Sequence, residues 1–279
     1  MKHHFIVPFL IIPLFSSCGG KPTDPRLNTP LYFTCLSDSA NILICFSFDE
    51  AQQQLSDFLL ESSKDNQHWS KVEPVQSEEE GKGYADISFN KNEKIYFRSD
   101  NHGYSEDFYI TFMSEENDDE VSVAGNVMSL LSKTNFAKNK TLPLDACLYS
   151  LFCENNNLVD AGNLILPATT LTANCYEAMF SCCIKLKTLP KLPATSLAES
   201  CYQFMFSGCD VLASAPRLPA SKLVTNCYNK MFYNCYNLSV STEGKDENKI
   251  FTCPKGGASC CEEMFYNLTV QDNTTYYYL

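Results

Sequence analysis

The strongest constraint on this chain is a phrase that recurs every 26 residues. It reads Leu166-Pro167-Ala168, Cys175-Tyr176, Met179-Phe180, Cys183 and Leu186. It returns as Leu192-Pro193-Ala194, Cys201-Tyr202, Met205-Phe206, Cys209 and Leu212, and again as Leu218-Pro219-Ala220, Cys227-Tyr228, Met231-Phe232, Cys235 and Leu238. A fixed period of this size marks units that bury their apolar side only against their neighbours. Cys175, Met179, Phe180, Cys183, Leu186, Cys201, Met205, Phe206, Cys209, Leu212, Cys227, Met231, Phe232, Cys235 and Leu238 are therefore the expected structural core of the repeats. A degenerate copy around Cys147-Leu148, Leu151-Phe152, Asn155 and Leu158 precedes the clean units, and Cys260-Cys261 with Met264-Phe265 reads as a last, atypical one.

Within a unit, the apolar positions fall on one face of a helix, over an arc of about 140° at 3.6 residues per turn. Leu186 to Leu189 leads into Pro190, which ends any helix and reads as a short strand or extended turn. One helical turn and one short strand per unit predict a leucine-rich α/β solenoid of about five coils over residues 141–279. Residues 31–127 read differently. Leu31–Cys35, Ile42–Phe48, His68–Val72, Tyr84–Phe89, Lys94–Arg98 and Phe108–Phe112 are short, rich in aromatic and β-branched residues, and separated by polar stretches. They predict an N-terminal all-β sandwich of immunoglobulin-like plan, with Trp69 as its core aromatic. Residues 128–140 are expected to be a capping or hinge segment between the two domains.

The leader constrains location. Lys2 precedes an apolar run from Phe5 to Phe15, too short to span a bilayer, so residues 1–17 read as a signal peptide. Leu14-Phe15-Ser16-Ser17-Cys18 resembles a bacterial lipobox, which makes Cys18 the lipidated residue and residues 18–30 a flexible tether. The expected location is the cell envelope, as an outer-membrane lipoprotein exposed at the surface. A plain secretory signal is the alternative.

Phe180-x-x-Cys183-x-x-Leu186 followed by Pro190-x-Leu192-Pro193 resembles the BspA-type leucine-rich repeats of bacterial surface proteins. The full phrase, with the Gly125-to-Leu131 stretch before it, is similar to lipoproteins of gut Gram-negative anaerobes. The resemblance implies surface exposure and partner binding, loosely adhesion, and supplies no catalytic residues.

Composition narrows the chemistry. The formal charge is −12, which disfavours nucleic acid, because binding it relies on Lys and Arg neutralising phosphates. Residues 136–241 carry eight Lys/Arg and six Asp/Glu, a net of +2, so the front half holds the acid. Fifteen cysteines allow a disulfide framework, a metal site or packing. Packing fits best, because the repeat dictates their positions and a free Cys behaves as a small buried hydrophobe. His68 and His102 are the only histidines beyond the leader, so a triad or a Cys/His zinc site has little to draw on. No cofactor or metal is expected. Specificity in a repeat array is written at its variable positions. Lys185, Lys187, Lys191, Arg217, Lys230, Tyr233 and Tyr236 are therefore the candidate partner-binding surface. The expected function is non-enzymatic, adhesin-like binding of an extracellular protein or glycan by a membrane-anchored protein. A glycan-capturing surface protein and a structural or assembly component of the envelope are the alternatives.

Overall fold

The computed structural model describes residues 24–100, 103–115, 117–238 and 259–266. Cys18, the signal peptide and most of the tether lie outside the described residues, as does His102. Ten strands form: β1 (Leu31–Cys35), β2 (Ser39–Phe48), β3 (Glu61–Ser63), β4 (Ser70–Lys71), β5 (Val75–Gln76), β6 (Lys82–Asn90), β7 (Lys94–Arg98), β8 (Phe108–Met113), β9 (Val121–Asn126) and β10 (Leu158–Ile165). They make a six-stranded sheet of order β10-β9-β1-β7-β3-β4 and a four-stranded sheet of order β5-β6-β2-β8. Alternate residues of a strand face opposite sides. Leu31, Phe33 and Cys35 of β1 are buried while Tyr32 and Thr34 are half-exposed, and Ile95 and Phe97 of the antiparallel β7 point the same way. Facing them from the other sheet is Phe112, with ring centroids 5.3 Å from Phe33 and 4.7 Å from Phe97.

The immunoglobulin-like plan is overturned by this order. That plan keeps the first two strands in one sheet, whereas β1 and β2 lie in different sheets. Trp69 is not a core aromatic either. It is half-buried, with the Arg98 guanidinium 4.0 Å above its ring, and Glu61 holds both Arg98 (2.7 Å) and Lys133 (2.6 Å).

After β9 the chain makes a fully buried 3-10 turn, Val127–Leu130. Asn126 accepts from the Met128 amide at 3.1 Å, and the Ser129 hydroxyl accepts from Leu31 N–H (2.9 Å) and donates to the Phe97 carbonyl (3.0 Å). Gly125 enters this turn at φ +85°, where a Cβ would stand 2.1 Å from the Pro30 carbonyl oxygen. Only glycine fits so close an approach.

The leucine-rich α/β solenoid is also overturned: the described residues contain no α-helix. Each unit is instead a series of tight turns, repeated at intervals of four residues. Asn174, Ala178 and Cys182 have φ of 53°, 52° and 59°, and Ser200, Phe204 and Gly208 repeat the pattern at 50°, 54° and 71°. A residue at positive φ ends helical geometry. The amides alternate in use. Glu177, Met179, Ser181 and Cys183 donate to carbonyls three residues back, at 3.0–3.3 Å. Tyr176, Ala178, Phe180 and Cys182 donate instead to Cys201, Gln203, Met205 and Ser207 of the next unit, at 2.7–3.1 Å. An α-helix would keep every bond internal. Here half of the bonding capacity joins one layer to the next, and this offsets the cost of the positive φ values, of order 1–2 kcal/mol per residue.

The layers stack their side chains in columns. Phe152, Phe180, Phe206, Phe232 and Phe265 follow one another at centroid distances of 5.1, 5.4, 5.5 and 5.7 Å. Tyr176, Tyr202 and Tyr228 form a second column at 5.8 and 5.9 Å. β8 serves as the layer beneath the first: Phe112 stacks on Phe152 at 6.1 Å, and its amide donates to the Leu151 carbonyl at 2.8 Å. β10, which lies within the repeats, pairs in parallel with β9. One continuous apolar core therefore runs from between the sheets through the repeat layers.

Candidate functional site

The extended part of each unit builds a groove. Residues 187–191 run beside β10: Lys187 N–H donates to Val159 (2.9 Å), Ala161 N–H donates to Thr188 (2.9 Å), and Ile165 bridges to Lys191 in parallel. The equivalent stretch of the next unit, 213–219, forms no backbone bridge or hydrogen bond to 187–193. Here, unlike at β10, both facing stretches carry prolines, which thins the donors on each side. Pro190, Pro193, Pro216 and Pro219 have no N–H to donate. Between the two stretches lies a cavity of about 640 Å³, whose lining includes Lys187, Lys191, Arg217, Leu189 and the four prolines.

The lining holds three cations and no carboxylate. Lys191 and Arg217 occupy the same position of consecutive units, 26 residues apart, and neither forms an ion pair among the described residues. Lys187 lies 3.7 Å from Glu120, both side chains exposed, a pairing that solvent screens to little. Asp24, close enough to feel Lys191, is held down at about 2, chiefly by its hydrogen bonds to Arg26.

The other expected surface residues lie outside the groove. Lys185 donates to the Asn117 carbonyl of the acidic loop before β9. Lys230 pairs with Glu263 at 3.3 Å and lies over the rings of Phe204 (5.6 Å) and Tyr233 (5.7 Å). Tyr233 stacks on Tyr266 at 5.0 Å, and Tyr236 is exposed. The seven residues thus split into a groove trio, one tether to the acidic loop and an aromatic cluster on the last units. The groove's prolines were not anticipated as lining, although Pro190/Pro216 and Pro193/Pro219 repeat with the period and so mark a place where both facing stretches lack donors.

No disulfide joins any two of the thirteen described cysteines. The repeat-core cysteines are buried. Cys183, Cys209 and Cys235 point their thiols at the Phe152, Phe180 and Phe206 carbonyls, at 3.1, 3.2 and 3.0 Å. Burial pushes Cys147, Cys153, Cys201 and Cys235 up to about 12, so at neutral pH they are protonated and poor nucleophiles. Asn155 occupies the cysteine position of the degenerate unit, and its Nδ2 donates to the Phe112 carbonyl at 2.9 Å, the same bond made by an amide.

Two further groups escaped the sequence. Glu177 is half-buried, and burial, with Glu106 nearby, pushes its carboxyl up to about 7. Asn174 donates to Glu106. Asp65 and His68 are 2.7 Å apart and both exposed, and the Ser63 hydroxyl donates to Asp65 at 3.0 Å, so the serine meets the carboxylate and not the imidazole that would have to take its proton. Among the described residues no three His, Cys, Asp or Glu side chains converge as metal ligands, and no helix is long and apolar enough to cross a membrane. No protein-family model matches the chain, and neither a curated protein nor a solved structure matches it.

Proposed function

We propose that this chain is a lipid-anchored protein of the cell envelope that captures an extracellular partner on its repeat layers without catalysis. The observation that carries this reading is the groove: three cations and four prolines lining one cavity in a chain whose net charge is −12. Concave sites with an apolar floor and a few placed polar groups are where ligands bind. The lipobox-like Cys18 and the resemblance of the repeat phrase to BspA-type surface proteins support the location and the binding role. The poorly nucleophilic buried thiols, and an exposed Asp65–His68 pair whose neighbouring Ser63 bonds the carboxylate and not the imidazole, give catalysis little to work with.

The test has two arms. Protease added to intact cells should remove the chain from the surface. The immobilised full chain should bind saturably to at least one member of a panel of extracellular matrix proteins, host glycans and bacterial envelope polymers. A chain untouched by protease that binds nothing, or one that hydrolyses a panel member, would overturn the proposal.

A further inference from the structure

The geometry points to an acidic oligosaccharide as the occupant of the groove, its carboxylate or sulfate oxygens held by Lys187, Lys191 and Arg217. This inference rests on the capture reading above and names the ligand class for that same site. Charge is the first argument. The lining carries three cations and no acid. Lys191 and Arg217 have no ion-pair partner among the described residues, so both remain available for charge-assisted hydrogen bonds, with the Arg fork suited to a bidentate anion.

Size and texture are the second argument. A cavity of about 640 Å³ falls within the range of small-ligand pockets. Thr188 and Ser214 add hydroxyls to the lining, while Leu189, Ala215 and the prolines offer apolar surface to the faces of sugar rings. Proline also fixes φ, so little conformational freedom remains to be lost when a ligand enters.

Backbone chemistry then separates a sugar from an acidic peptide. An extended peptide docks on a sheet edge chiefly through main-chain hydrogen bonds. Both walls here are interrupted by proline at two positions each, Pro190 and Pro193 on one, Pro216 and Pro219 on the other. That removes donors at the places a peptide strand would need them. A sugar asks for side-chain donors and apolar surface, and the groove provides both.

The experiment is isothermal titration of the full chain with four probes: a polygalacturonate tetrasaccharide, a heparin tetrasaccharide, neutral maltotetraose and a glutamate peptide of similar charge. At least one acidic sugar should bind, and its affinity should fall about tenfold or more between low and high salt. The Lys191→Ala/Arg217→Ala double variant should lose about tenfold or more in affinity while keeping its melting temperature, and Lys191→Arg should retain binding. The uronate and sulfate arms report which anionic group the site prefers. Equal binding of maltotetraose, stronger binding of the peptide, an unchanged affinity in the double variant, or no binding of either acidic sugar would overturn the inference. If the inference fails in any of these ways while the chain still captures a member of the wider panel, partner capture stands and only the ligand class falls.

Discussion

Truncating Phe206 to alanine should destabilise the sheets as well as the repeats. Its side chain is 0% exposed and lies between Phe180 at 5.4 Å and Phe232 at 5.5 Å, with ring planes 15° and 13° from parallel. Loss of a buried Phe costs about 3–5 kcal/mol through lost transfer energy and the remaining cavity. The two stacked contacts, each worth roughly 0.5–1.5 kcal/mol beyond burial, place this site at about 4–5 kcal/mol. For a chain of this size the melting temperature should drop by about 8–20 °C. The informative measurement follows two probes of one melt. Trp69, the sole tryptophan, reports the sheets through its fluorescence, and labelling of the buried repeat thiols reports the layers. Both transitions should move together, because the core is continuous and β10 belongs to the larger sheet. A variant in which thiol exposure shifts while the Trp69 transition stays in place would refute the idea that the two regions share one core.

Other perturbations test the column chemistry and the buried carboxyl. Asn155→Ala should cost about 1–3 kcal/mol by leaving the Phe112 carbonyl without its donor, whereas Asn155→Cys, which restores the thiol of the other units, should cost measurably less in urea melts. Glu177 should make stability depend on pH. Its folded carboxyl sits at about 7 against an ordinary 4.5, so the folded state keeps a proton that the unfolded state has lost between those values, and stability falls as pH rises through that window. Glu177→Gln should therefore gain of order 2 kcal/mol at pH 8 and nothing at pH 4, as read from urea midpoints. Thiol titration without reductant should find Cys182, the one exposed cysteine among the described residues, reacting before the other described cysteines in the native chain, and the repeat-core cysteines titrating as thiols only after denaturation. Fewer than half of them titrating would mean that disulfides hold the layers.

Much of the sheet region was legible because strand signals are local. Leu31–Cys35 and Lys94–Arg98 alternate buried and half-exposed residues along a few positions, and the chain adopts the same limits. Their partners were not legible. Nothing within β1 says that it will lie between β7 and β9 and not beside β2, since that choice is made by the rings of Phe33, Phe97 and Phe112 meeting across the sheets. In the repeats the burial pattern was readable and the backbone was not. Pairs at Cys175-Tyr176 and Met179-Phe180, followed by Cys183, recur at intervals of four residues, and over these two steps this differs from a 3.6-residue helix by less than about one residue. The positive φ at Ala178 and Phe204 carries no residue signature at all. It is imposed by the neighbouring layer, which accepts the amides that a helix would have used internally. The cations of the groove could be picked out as variable positions, but only the failure of the proline-bearing stretches to pair brings Lys187, Lys191 and Arg217 around one cavity.

Along the turn columns the bonds between layers run in one sense, each earlier unit giving its amides to the carbonyls of the later one, from Phe112 onto Leu151 through Asn234 onto Tyr266. In these columns one junction is thus chemically like the next. A gene that duplicates or excises one whole 26-residue segment would leave donors facing acceptors at the splice, so the array can change length by recombination without new compensating substitutions. Shifting the splice by a single residue would set those donors against carbonyls already used within the next unit, which makes the period itself the thing natural selection must preserve.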